Sequence, residues 1–225
     1  MLGILERGFL RHPPKPRSPR EFPGKPLEVL YGLAADNTKV EYFPLNGSTV
    51  GSKGTLPVTQ TPVFETDDND ETALSAKLGT KVVYNLGINK TSGTMSSWFT
   101  ETGQGTRMIL ASEGASGQLL NLYVGSNEKV NLAVRNNAGV YTTIITTNET
   151  VGQNEWNFVA VKWQLAGSTL TFTLYFNSKV YTANVTDFLD FTGLQTAVGN
   201  TTGGGYPLNG LFKKFSYSPF ALTTF

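Results

Sequence analysis

The densest group of chemically capable side chains is Glu65-Thr66-Asp67-Asp68-Asn69-Asp70-Glu71, with five carboxylates in seven residues. Short acidic side chains on a turn offer the oxygen ligands that a hard cation prefers, so Asp67, Asp68 and Asp70, with Asn69, form a candidate calcium site. The spacing is not that of an EF-hand loop, because no glycine follows at the sixth position. The competing reading is a solvated acidic turn without a ligand. Other chemistry lacks its parts. The one histidine is His12, inside a proline-rich stretch, so no Ser-His-Asp relay can be assembled in the rest of the chain. Cysteine is absent, which removes a thiolate nucleophile and any Cys-based zinc site. Gly203-Gly204-Gly205 precedes neither Lys-Ser/Thr nor a helix start, and it reads as a flexible hairpin rather than a phosphate loop. No catalytic residue is expected, and no cofactor other than the candidate calcium.

Sugar recognition uses different side chains: an exposed ring to stack on the pyranose, flanked by Asn, Asp or Gly that bond its hydroxyls. Trp98, Trp156, Trp163, Phe172 and Phe176 fall on strand patterns and are expected in the core. Tyr123, Tyr141, Tyr181 and Tyr206 have polar neighbours and are the candidate glycan contacts, although an exposed tyrosine on a sandwich is also ordinary. Asn46, Asn89, Asn148, Asn184 and Asn200 each begin an Asn-x-Ser/Thr pattern. The chain's start, Met1 to Leu10, is interrupted by Glu6 and Arg7 too early for an export signal, so these asparagines read as turn and edge residues.

The elements that must position these groups divide the chain in two. Residues 1–26 carry six cations and two anions, 6 − 2 = +4, whereas the remainder carries 12 − 15 = −3. Six of the eleven prolines lie between Pro13 and Pro26, where they remove backbone donors and favour extended geometry. Residues 1–26 therefore read as an extended, basic, Pro-rich arm, followed by a linker at 27–39. A solvated spacer is one reading of the arm. An anchor is the sharper one: the apolar tip of Leu2, Ile4, Leu5, Phe9 and Leu10, followed by Arg11, Arg17 and Arg20, suits docking on a protein partner. Nucleic acid is disfavoured, because only Phe9 and Phe22 interleave the cations and the body is acidic. No apolar run approaches the roughly 18 to 20 residues that cross a bilayer, so no membrane span is expected.

From Val40 to Phe225 period-two alternation recurs between Gly, Asn and Ser turns, predicting one antiparallel β-sandwich over 40–225. Leu170, Phe172, Leu174 and Phe176 alternate with Thr169, Thr171, Thr173 and Tyr175, which predicts a strand with one buried face. The run Trp156 to Trp163 is apolar on both faces and is expected in mid-sheet. In the last strand, Gly210 is expected to permit a tight turn, with Leu211, Lys213, Phe215 and Tyr217 on one face. The adjacent Lys213 and Lys214 predict a partly exposed edge.

Four segments resemble the laminin G-like, concanavalin A-like lectin/glucanase jelly-roll domains common in bacteriophage structural proteins. They are Val40 to Gly47 (VEYFPLNG), Gly93 to Thr100 (GTMSSWFT), Asn154 to Lys179, and Tyr206 to Thr223 with its closing YPLNGLFKKFSYSPFALT phrase. The resemblance implies an all-β jelly-roll sandwich. It also implies a non-enzymatic virion component, in which the arm holds other virion proteins and the sandwich meets host-surface polysaccharide, with homo-oligomerisation compatible. A stand-alone or secreted bacterial lectin and a degenerate glycoside hydrolase are the alternatives. Hydrolysing members use alternating carboxylates along a strand, and Glu65 to Glu71 fits neither that spacing nor its bulged form.

Overall fold

The structure, a computed structural model, describes residues 40–114 and 117–222; the arm (1–26) and linker (27–39) lie outside the described residues. The described residues form strands β1 (Glu41–Phe43), β2 (Thr59–Thr61), β3 (Phe64–Thr66), β4 (Thr72–Ala76), β5 (Lys81–Asn85), β6 (Ser92–Phe99), β7 (Arg107–Gly114), β8 (Gly117–Val124), β9 (Lys129–Arg135), β10 (Tyr141–Thr150), β11 (Asn157–Ala166), β12 (Thr169–Phe176), β13 (Lys179–Val185), β14 (Gln195–Val198) and β15 (Gly210–Ser218). None of them is helical.

All pairings between these strands are antiparallel, in two sheets. Sheet I runs β13-β12-β11-β6-β15-β4-β3, with β1 paired to the second half of β15 beyond β4. Sheet II runs β10-β9-β8-β7-β14-β5-β2. The two face each other across one apolar core, consistent with the expected jelly-roll sandwich.

Strand alternation fills that core. On β12, Leu170, Phe172, Leu174 and Phe176 are all buried, while the interleaved threonines and Tyr175 are half-buried on the outside. β11 lies between β6 and β12, in mid-sheet as its composition predicts. Its Val159, Val161 and Trp163 enter the core, whereas Phe158 and Ala160 join Trp98, Trp156 and Ala73 in a second apolar cluster on the outer face of sheet I. Opposite Trp163 stands Gly93, where a Cβ would come within 2.1 Å of the indole ring. Only glycine leaves room for it.

The last strand corrects three expectations. β15 is not an edge: it sits between β6 on one side and β4 and β1 on the other. Its face assignment changes midway, because Lys214 adopts φ 56° in a bulge between Lys213 and Ser216. Phe212, Phe215 and Tyr217 then point inward together, and Lys213 points out. Gly210 does not supply the left-handed turn, which falls on Asn209 (φ 57°). It allows close approach instead, since a Cβ there would lie 1.9 Å from the Thr100 carbonyl oxygen.

Candidate functional site

The outer face of sheet II carries two of the four candidate tyrosines, Tyr123 and Tyr141. Alternation puts Met108 and Ala111 of β7, Asn121 and Tyr123 of β8, Asn131, Ala133 and Arg135 of β9, and Tyr141 and Thr143 of β10 on this side. The register aligns them: Met108 opposite Tyr123, Asn121 between Ala111 and Ala133, and Tyr141 opposite Arg135. Ala111 and Ala133 are fully buried and form a low floor between larger side chains.

Local hydrogen bonds fix the rims of this floor. The Tyr123 and Thr143 hydroxyls lie 2.9 Å apart, and Asn121 Nδ2 donates to Gln118 Oε1 at 2.5 Å. Asn121 Oδ1 is buried without a hydrogen-bond partner. Tyr141 leaves 38% of its surface in solvent. Its hydroxyl is nevertheless pushed far up from the usual tyrosine value, first by burial and then by Tyr123. Such a side chain offers a stacking surface and keeps its phenol protonated.

Tyr206 lies on the loop between β14 and β15, beside the start of β7. Its carbonyl accepts the Met108 amide at 3.1 Å, and Thr202, from the same loop, donates both its amide and its hydroxyl to the Glu113 carboxylate. Tyr206 itself is 49% exposed. Tyr181 is separated from the other three. It lies on β13 of sheet I, packs against the core and donates its hydroxyl to Glu149 on β10, bracing one sheet edge against the other.

The acidic segment forms the hairpin between β3 and β4. Asp67 is buried at its centre: Oδ1 accepts the amides of Asn69 (2.9 Å) and Glu71 (3.0 Å), and Oδ2 accepts Trp156 Nε1 (3.2 Å) and Lys213 Nζ (3.1 Å). Burial alone would raise its pKa, but the two amides and the ammonium outweigh it and hold the carboxyl below the usual range. Asp68 and Asp70 are exposed and are not gathered with it. Among the described residues no three His, Cys, Asp or Glu side chains are placed to hold a metal. Asp67 is engaged as a structural hub. Glu65, bonded to Ser75 and Lys77, fastens the same hairpin.

Around this hub is a cleft that the sequence reading missed. It measures about 270 Å³ and is lined by Tyr42, Asn46, Glu71, Thr72, Lys213 and Lys214 on the outer side of sheet I. Lys213 Nζ bonds Asp67 and Glu71 (2.5 Å) and stands 4.1 Å from the Trp156 ring centroid. The signal in the sequence was the Lys213-Lys214 doublet itself. Two adjacent lysines between Phe212 and Phe215 break period two, as a bulge requires.

An antiparallel two-sheet sandwich of this order defines an all-β, jelly-roll class of domain. The chain belongs to the Concanavalin A-like lectin/glucanases superfamily, whose family model matches residues 67–224. No curated protein matches it significantly. Among solved structures, it is similar to domain 4 of an extracellular arabinanase from Geobacillus stearothermophilus in complex with arabinotriose (13% identity, TM-score 0.61, covering 82% of this chain and 94% of that one). It is similar to the Ruminococcus gnavus IT-sialidase CBM40 bound to alpha2,3 sialyllactose (18% identity, TM-score 0.52, covering 74% and 94%). A third likeness is to tailspike protein 2 of an Escherichia coli O157:H7 bacteriophage (13% identity, TM-score 0.57, covering 86% of this chain and 28% of that one). Identities this low establish shared fold, and the chain spans under a third of the tailspike.

Proposed function

We propose that this chain is a non-catalytic, glycan-binding virion component. Residues 1–26 anchor it to a capsid, neck or tail partner, and the sandwich faces outward to meet host-surface polysaccharide. The observation that carries the binding half is the outer face of sheet II, where the partly exposed Tyr123 and Tyr141 stand beside Arg135. Rings for stacking beside a guanidinium are what a flat sugar-binding face requires. The arabinotriose-bound and sialyllactose-bound neighbours support the ligand class. The tailspike neighbour and the basic arm support the virion setting, in which many weak contacts on a symmetric particle gain by avidity.

A stand-alone or secreted bacterial lectin is the second reading, favoured by the likeness to domains of two bacterial enzymes. The catalytic reading draws no support from Glu65 and Asp67, which are occupied in holding the β3–β4 hairpin. Two experiments test the proposal. Deleting residues 1–26 should abolish incorporation into particles; incorporation of the truncated chain, or failure of the intact chain to join any assembly, overturns the virion half. A glycan array run with and without calcium should show binding, and silence in both conditions overturns the ligand half.

A further inference from the structure

Lys214 is costly where it stands. It is a non-glycine residue in the left-handed region, φ 56°, held there by the bulge and by its amide bond to the Pro44 carbonyl at 3.1 Å. It is half-buried; burial first and the neighbouring Lys213 second push its pKa down, and the Glu71 carboxylate offsets them only in part. Among the described residues no carboxylate lies within 4 Å of its ammonium. Glu71, the acid in the same cleft, is bonded to Lys213 instead. Tyr42 lines the cleft as well, and its hydroxyl is raised by burial and by Glu71, so it remains a donor at neutral pH. Asn46 adds an amide.

A strained position, an ammonium in no direct ion pair among the described residues, a protonated phenol and an amide line one opening of about 270 Å³. Glycine would satisfy the backbone better at this position. We infer that this cleft binds an anionic group, a carboxylate or phosphate carried on a sugar, with Lys214 as the counter-ion and Tyr42 and Asn46 as neutral donors. The inference rests on the glycan-binding reading only for the sugar that carries the anion. It adds a second, charge-selective site on the sheet opposite the tyrosines.

The test is titration of the full chain, followed by calorimetry and amide NMR, with sodium glucuronate, glycerol phosphate and glucose at constant ionic strength in sodium chloride. At least one of the two anions should bind and shift the amides of Tyr42, Thr72 and Lys214, and glucose should not. Whichever anion binds more tightly identifies the source as an acidic sugar or a phosphorylated one. Lys214→Ala should weaken binding at least about tenfold, as expected for one lost charge-assisted hydrogen bond, and Lys214→Arg should retain it within about threefold. Lys214→Gly should also lose binding while raising Tm. Equal response to glucose and both anions, no response to either anion, or unchanged binding in Lys214→Ala overturns the inference. If the anions bind here while the glycan array stays silent, this site stands and the tyrosine face fails. If array binding depends on the tyrosines and the anions are ignored, the reverse holds.

Discussion

The outer face of sheet II and the outer face of sheet I start from the same alternating strands and end with different chemistry. On sheet II Tyr123 and Tyr141 stand among the fully buried Ala111, Ala133 and Asn121, and a neutral hydrogen bond to Thr143 holds the Tyr123 hydroxyl. On sheet I the corresponding side is filled by Trp98, Trp156 and Phe158, with the Asp67-Lys213 pair locked against the indole. The first face invests little stability in its candidate ligand groups. In the second, the charged residues also hold the β3–β4 hairpin to β15. Substitution should therefore separate binding from folding on sheet II and couple them on sheet I.

The largest expected effect is on sheet I. Lys213→Ala strands the Asp67 carboxylate in a site where 1% of its side chain is exposed, and breaking a buried pair in this way costs about 3–5 kcal/mol. Urea denaturation should show that loss; a change under about 1 kcal/mol would mean that the pair is not structural.

Next is the core under both faces. Gly93→Ala places a methyl against the Trp163 ring and should cost about 1–3 kcal/mol by overpacking. Its effect on glycan binding should be small, since Trp163 lies between the sheets.

Acid sensitivity sharpens the contrast further. Asp67 is held below its unfolded pKa, so its contribution to stability is present above about pH 4 and is lost as pH falls through the lower folded value. Asp67→Asn should flatten that acid limb in denaturation curves recorded from pH 5 to pH 2. An unchanged limb would place the acid sensitivity in other carboxylates.

The smallest effect is a gain. Lys214→Gly relieves a left-handed backbone and should stabilise the fold by about 0.5–1 kcal/mol, read by thermal melting. A loss of similar size would show that the lysine side chain contributes to packing.

Much of this arrangement was legible before any coordinates, and the exceptions share a cause. Alternation placed β12 and β11, because one strand has a clean two-sided pattern and the other is apolar throughout. Tyr123 and Tyr141 fell on one face because their strands, β8 and β10, flank β9 in sheet II. Tyr181 has similar sequence surroundings but belongs to sheet I, and only the register of β13 on β12 reveals that. The short strands β2, β3 and β4 carry too few residues to show a period. The acidic segment reads as solvated because its partners, Trp156 and Lys213, are 89 and 146 residues away in sequence. Strict alternation misplaced the residues after Lys213, since one left-handed residue inverts the faces that follow.

The most direct measurement is binding of the best glycan-array ligand to the Tyr123→Ala/Tyr141→Ala double variant, with Tm recorded on the same sample. Truncating an anchoring aromatic costs about 2 kcal/mol, so affinity should fall at least about tenfold, while the native fold persists and residual stability changes stay near 1 kcal/mol per site. Undiminished affinity in a folded double variant would contradict the account, because the tyrosine face of sheet II would then have no part in recognition.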